Sequence, residues 1–365
     1  MDNILVDLTS QLIRFKTTTK DNVNIAAEYC ANWLNRNEVK AEILENQGLK
    51  IVLATIGDKG PTIILNGHLD VVPGQTSDFY PRVIGNKLFG RGSYDMLGAN
   101  AALLLLISEL SKLTLGCKVI LTLVPDEEVG GKLGTGFLVR KGIRGDIAIC
   151  AEPTNLNIAL QAKGVLQVNL EIEGIAAHGS RPWLGENAIL KGLNVYKNIE
   201  TLDFLKASSQ YFLKPSLNLA KIHGGGVVNQ VPDSCNLTLD IRYLPGQNPQ
   251  HILENIKTET PHTKVTVISN AAPVKTNKNN IYLSQLRKDA ETILGRPIKF
   301  FGQDGSADTR YFFEVGIPAV EFGPLGANHH GPDEYVEIDS LISFKDILKR
   351  FVMNLNRKGD ENEAQ

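Results

Sequence analysis

The feature that most constrains this chain is a recurring one: an apolar run that stops abruptly on histidine or carboxylate. "TIILN" (62–66) leads into "GHLDVVPG", "KVILTLV" (118–124) into "PDEEVGG", and "DIAICA" (146–151) into "EPT". "AVEF" (319–322) is followed by "GANHHGPDEYVE" (326–337). Apolar runs without polar alternation belong to strands covered on both faces, as in a parallel sheet. Helical spacing lies between them: Val23, Ala27, Cys30, Trp33 and Leu34 recur on one helical face, and a second helix is expected from about Gly98 to Leu113. Strands alternating with helices imply a mostly parallel α/β sheet, whose ligands gather at the carboxyl ends of the strands.

His68 and Asp70 stand at the first of these ends. Were the strand to continue through both, their side chains would share a face. Taken alone, that spacing favours a histidine satisfied by its neighbouring carboxylate over a metal-ligating imidazole with a carboxylate that orients it. The other clusters weigh on the choice. Asp95 lies in a glycine-flanked loop, "GRGSYDMLG"; Asp126, Glu127 and Glu128 terminate one strand; Glu152 closes another; His329 and His330 precede Glu334. One acidic cluster at a strand end is a solvated turn. Several facing one crevice repel one another unless something positive sits among them. Carboxylates with imidazoles, without thiolates, suit Zn²⁺ or another divalent ion.

Other function classes are poorly supported. A net charge of −2 over 365 residues offers no basic patch, so no nucleic-acid partner is expected. Four scattered cysteines with no C-x-x-C pair read as buried small hydrophobes of a reducing compartment. "AALLLLI" (101–107) is too short to span a bilayer and the N-terminal stretch lacks a signal-peptide pattern, so a cytoplasmic protein with no membrane partner is expected.

The texture changes near Lys163. "VLQVNLEIEG" alternates apolar and polar residues, and the pattern that follows is β-α-β-β-α-β, the ferredoxin-like plan. The expected organisation is therefore a discontinuous catalytic domain, 1–163 and 275–365, with a lid or dimerisation domain inserted at 164–274. The polar tail "RKGDENEAQ" reads as unstructured.

Eight stretches in register carry a resemblance over nearly the whole chain: "GHLDVVP", "GRGSYDM", "PDEEVGG", "AEPT", "AHGSRPWLGENAI", "GGGVVNQVPDSCNLTLDIR", "GSADTRYF" and "HGPDE". Together they resemble the zinc-dependent amidohydrolase and exopeptidase family that includes acetylornithine deacetylase, succinyl-diaminopimelate desuccinylase, aminoacylase and carboxypeptidase G. The resemblance implies two Zn²⁺ ions, with Co²⁺ or Mn²⁺ as substitutes. It implies His68 and Glu152 on one ion, Glu128 and His330 on the other, and Asp95 bridging both through a loop with a cis peptide after it. It makes Asp70 the orienting partner of His68, Glu127 the general base, and His329 a loop residue beside the site. Leu97 departs from the pattern, since relatives commonly carry Lys there.

The resemblance also gives the inserted domain a part. His178 would steady the oxyanion from the other subunit of a homodimer, although a histidine after two alanines in a loop is by itself more often structural. Asn229, Arg242, Ser306 and Arg310 would contact a substrate with a free carboxylate, which an arginine fork suits. For Arg242, a salt-bridged surface strand residue is the alternative. The expected activity is hydrolysis of the amide of an N-acyl amino acid. An exopeptidase or dipeptidase of the same mechanism is second, and a non-catalytic binding relative, for which a general base would be superfluous, is third.

Overall fold

The computed structural model of the chain describes residues 2–261 and 263–363. Two compact units emerge: one comprises the chain through Leu160, Thr276–Phe301 and the chain from Ala307; the other comprises Gln161–Lys275 with Gly302–Ser306.

In the larger unit α1 (Asp2–Arg14) and α2 (Lys20–Arg36) precede β1 (Ala41–Asn46), β2 (Leu49–Ile56) and β3 (Thr62–His68). Then come β4 (Arg82–Ile84), β5 (Lys87–Phe89), α3 (Gly98–Leu110), β6 (Lys118–Val124), α4 (Thr135–Arg140), β7 (Ile147–Cys150) and β8 (Ile158–Ala162). The smaller unit follows with β9 (Gly164–Glu173), α5 (Ala188–Ile199), β10 (Ser216–Gly224), β11 (Ser234–Tyr243), α6 (Pro249–Glu259), β12 (Lys264–Ala271) and β13 (Val274–Lys275). The chain closes with α7 (Ile281–Leu294), β14 (Phe300–Gln303), α8 (Thr309–Glu314), β15 (Ala319–Glu321), β16 (Gly326–Ala327), β17 (Tyr335–Glu337) and α9 (Ile338–Glu363).

The main sheet runs β1-β2-β6-β3-β7-β15-β8-β13, with β14 beside β8. Its centre is parallel: β3 pairs with β6 and β7, and β15 with β7. The flanking pairs are antiparallel. Ile63, Ile64 and Leu65 on β3 are fully buried, which accounts for the unbroken apolar run. Register explains why the polar clusters meet. His68 pairs with Val124 and Asn66 with Cys150, so the chain leaves β3, β6 and β7 at one edge of the sheet. The residues just beyond those ends, Asp70, Asp126 to Glu128 and Glu152, are thereby delivered together.

The smaller unit has the antiparallel sheet β10-β11-β9-β12, the strand order of the ferredoxin-like plan. Leu166, Val168, Leu170 and Ile172 alternate along β9 into a core with Leu237, Leu239 and Ile241 of β11 and Ile252, Leu253 and Ile256 of α6. Asn187 and Asn248 cap α5 and α6 by accepting from first-turn N–H groups, and Pro249 follows Asn248 where the helix needs no donor.

Some expectations change. β3 stops at His68, short of Asp70, and α3 stops at Leu110, short of Leu113. The edge strand β1 and the small sheet β16-β17-β5-β4 are too short or too polar to leave a periodic trace in the sequence. The polar tail expected to be unstructured continues α9 as far as Glu363, and its last two residues lie outside the described ones. A helix already nucleated on a packed stretch extends at small cost per residue.

Candidate metal centre

Gly67 and Asn100 set the end of β3. The Asn100 side-chain amide donates to the His68 carbonyl. A Cβ on Gly67 would come within 1.9 Å of Asn100 Oδ1, so only glycine allows that approach. His68 Nδ1 lies 2.8 Å from the Asp70 carbonyl oxygen. A carbonyl can only accept, so Nδ1 carries the proton. Orientation of His68 thus comes from the Asp70 main chain. The Asp70 carboxylate is 3.6 Å from Nδ1 and accepts instead from the Glu127 and Glu128 N–H groups at 3.1 and 2.9 Å. The chain turns after His68, so strand alternation no longer aims Asp70 at the ring.

Asp95 follows a turn into α3 and its peptide bond to Met96 is cis. One carboxylate oxygen lies 3.1 Å from His68 Nε2 and the other 3.1 Å from His330 Nε2. His330 Nε2 is also 3.0 Å from Glu128 Oε1, and Glu152 Oε2 is 4.0 Å from His68 Nε2. In each of two sets, His68 with Glu127 and Glu152, and His68 with Asp95 and Glu128, one donor atom per residue lies within 4.8 Å of the others. His329 stands beside this set, its ring edge-on to Tyr94 with centroids 6.1 Å apart. Leu97 is buried and carries no charge into the loop.

The electrostatics call for a cation. Burial, reinforced by neighbouring carboxylates and opposed by His68, pushes the carboxyls of Glu127 and Glu152 well above the ordinary range. Burial opposes charge on His68, yet Asp95, Glu152 and Asp70 outweigh it and drive that imidazole well above its usual value. Hydrogen bonds donated to the Asp95 and Glu128 carboxylates raise His330 to about 10. With the proton of His68 on Nδ1, a neutral ring and Asp95 present lone pairs to each other across 3.1 Å. A second proton or a cation must lie between them. The donors are nitrogen and oxygen throughout, so the residues present fit divalent ions of the zinc, cobalt or manganese type.

Three further acids, to which the sequence assigns no role, hold this set in place. The buried Glu334 carboxylate accepts from the N–H groups of Gly92, Tyr94 and Asp95, each at 3.0 Å, and from Arg91 Nη1 at 2.8 Å. Asp126 accepts from the N–H groups of Leu133 and Gly134, both at 2.7 Å. Asp308, pushed up to about 7 by burial, accepts from Thr135 Oγ1 at 2.6 Å. Their only sequence signal is that they are acids inside well-marked loops.

The residues expected to contact substrate are engaged within the protein. Arg310 Nη2 donates to the Gly130 carbonyl at 2.6 Å, on the turn carrying Glu127 and Glu128. Arg242 makes a two-pronged ion pair with Asp240, both contacts 3.1 Å, which is the alternative held open for it. Ser306 belongs to the smaller unit, as do His178 and Asn229. His178 is exposed, and its Nδ1 accepts from the Ser180 N–H at 3.2 Å with Ser180 Oγ 2.8 Å away. In a neutral ring the proton therefore sits on Nε2. The Gly179 N–H donates to the Asn229 carbonyl at 2.7 Å, joining the two loops.

The model of peptidase family M20/M25/M40 matches residues 64–354. The chain belongs to this family. M20 kinship makes it a hydrolase. One relative is a probable succinyl-diaminopimelate desuccinylase of Staphylococcus aureus, 26% identical, the match covering 94% of this chain and 95% of that one. The M20 fold is shared with solved structures at lower identity. The aminopeptidase PepT from Bacillus cereus superposes with a TM-score of 0.83 at 19% identity, covering 97% of this chain and 99% of that one. The Bacillus subtilis YXEP protein, a dinuclear metal binding peptidase of the M20 family, gives 0.76 at 15% identity, covering 98% of each chain. Among the described residues no helix is long and apolar enough to cross a membrane.

Proposed function

We propose that this M20 hydrolase is a cytoplasmic two-metal amidohydrolase that removes an acyl group from a small N-acyl amino acid bearing a free carboxylate. The observation that carries the reading is the Asp95 carboxylate held 3.1 Å from an imidazole on each side. His68 and Glu152 would hold one ion, Glu128 and His330 the other, with Asp95 shared. Bound there, divalent ions supply Lewis acidity, polarising a carbonyl and making water nucleophilic near neutral pH.

The rest is the work of the chain. Glu127, half-buried and made proton-avid by desolvation and its neighbouring carboxylates, takes the proton of the attacking water and returns it to the leaving nitrogen. Asp70 holds the Glu127–Glu128 turn by its two backbone N–H bonds, which keeps adjacent carboxylates in separate roles. His178, with its proton on Nε2, is a donor for the developing oxyanion. Its place in the smaller unit favours a homodimer in which each subunit lends His178 to the other. Asn229 and Ser306 would bind substrate polar groups. Arg242 and Arg310 would each have to exchange a protein partner for the substrate carboxylate.

The 26% kinship with a probable desuccinylase supports the deacylase reading. The fold shared with an aminopeptidase and a dinuclear peptidase supports the second, an exopeptidase or dipeptidase. Purified zinc-loaded protein assayed on N-succinyl-diaminopimelate, N-acetyl-ornithine, other N-acyl amino acids and dipeptides decides between them. Turnover of an N-acyl amino acid with dipeptides untouched is the expected result, and the reverse favours the peptidase. Undiminished hydrolysis after exhaustive chelation removes the metal reading altogether.

A further inference from the structure

We propose that Glu334 is a positioning residue: it fixes Asp95 opposite His330 and so sets the affinity for the second ion, the one assigned to Asp95, Glu128 and His330. The inference rests on the two-ion reading above.

The argument is one of saturation. A carboxylate has about four acceptor positions. In Glu334 all four are filled: Oε1 takes the N–H groups of Tyr94 and Asp95, and Oε2 takes the N–H of Gly92 and Nη1 of Arg91, at 2.8–3.0 Å. Every donor lies within four residues of Asp95 or is the amide of Asp95 itself. Glu334 is also four residues beyond His330, and Arg91 Nη2 reaches the His330 carbonyl at 3.4 Å. The Gly90 N–H donates to the Glu334 carbonyl at 2.9 Å. One buried ion pair thus stitches the loop that presents Asp95 to the segment that presents His330. His68 and Glu152 have separate supports: His68 is held by Asp70 and Asn100, and Glu152 follows β7. Loosening Glu334 therefore misplaces the second ion's ligands with respect to one another and leaves the imidazole and carboxylate of the first in place.

Glutamine at 334 keeps the shape, but its NH₂ faces a group that also donates. Zn²⁺ titration of the metal-free protein under a competing chelator measures the two affinities separately. Glu334→Gln should weaken the second by about 10–100-fold, the usual cost of losing an outer partner of a metal ligand, and the first, which keeps His68 and Glu152 and loses only the firm placement of the shared Asp95, by clearly less. Arg91→Lys, which keeps the charge and loses the fork, should shift the same affinity by less. Asp333→Asn, an exposed neighbour, should shift neither. A separate measurement needs no substitution: amide hydrogen exchange of Tyr94 and Asp95 should be slow in the metal-free wild type, because Glu334 holds them before any ion arrives. Exchange as fast as in an unfolded chain overturns the proposal even if both variants fail to fold. Wild type taking two ions, with Glu334→Gln taking both as tightly or losing both equally, overturns it alone. Wild type that takes fewer than two ions overturns the two-ion reading, and this inference with it.

Discussion

Replacing Glu127 by glutamine removes a base while keeping its volume. If Glu127 acts on the water and Glu128 on the second ion, Glu127→Gln should lower kcat by about 10²–10⁴-fold with the bound metal unchanged. Glu128→Gln should lose metal, and the opposite pattern would exchange their roles. Protonation gives a second test at this scale. His330 titrates near 10 in the folded chain against an ordinary 6.5, so its stabilising charge is complete below about 6.5 and is lost as pH rises through 10. Asp308, raised from 3.8 to about 7, acts in the same direction over a lower window: the folded state favours its proton, so stability falls as pH climbs through 7. Metal-free protein should accordingly melt at lower temperature as pH is raised from 6.5 toward 10. Zn²⁺ should bind more tightly over the same rise, because it competes with those protons. A melting temperature that climbs with pH in chelator would contradict the charge balance described for the site.

At the level of elements, the two cores make separable predictions. Leu239 on β11 is fully buried in the smaller unit's core, so Leu239→Ala should cost about 2–5 kcal/mol in urea unfolding of that unit. Zn²⁺ stoichiometry should not change. Asn280 accepts from the Tyr282 and Leu283 N–H groups at the start of α7, and Asn280→Ala should cost about 0.5–2 kcal/mol. These elements are the ones a reader of the sequence can find. β3, β6 and β7 announce themselves as apolar runs and β9 by alternation, because burial imposes a period on composition. What stays hidden has no period. That Asp70 would serve His68 by its carbonyl and Glu127 by its carboxylate depends on where β3 ends, which a one-residue change in pairing decides. That Glu334 would collect four donors depends on the loop conformation around Asp95, which no spacing encodes. Arg242 illustrates the same gap: its chemistry allowed a substrate fork or an ion pair, and only coordinates show Asp240 occupying it.

For the whole molecule, the dimer proposal has a direct test by mixing. Glu127→Gln and His178→Ala, each nearly inactive alone, should regain activity when co-assembled, since one site of the hybrid would combine an intact base with an intact donor from the other chain. Proven hybrids without recovery would return His178 to its own subunit, or to no role. The discontinuity of the larger unit has another consequence. A ribosome releases the chain in order, so His68, Asp95, Glu127, Glu128 and Glu152 emerge before residues 161–275, and His330 only after them. During synthesis the nascent chain therefore displays an acidic set with only one of its two histidines for as long as the intervening segment takes to be translated, and the second imidazole arrives only after that segment.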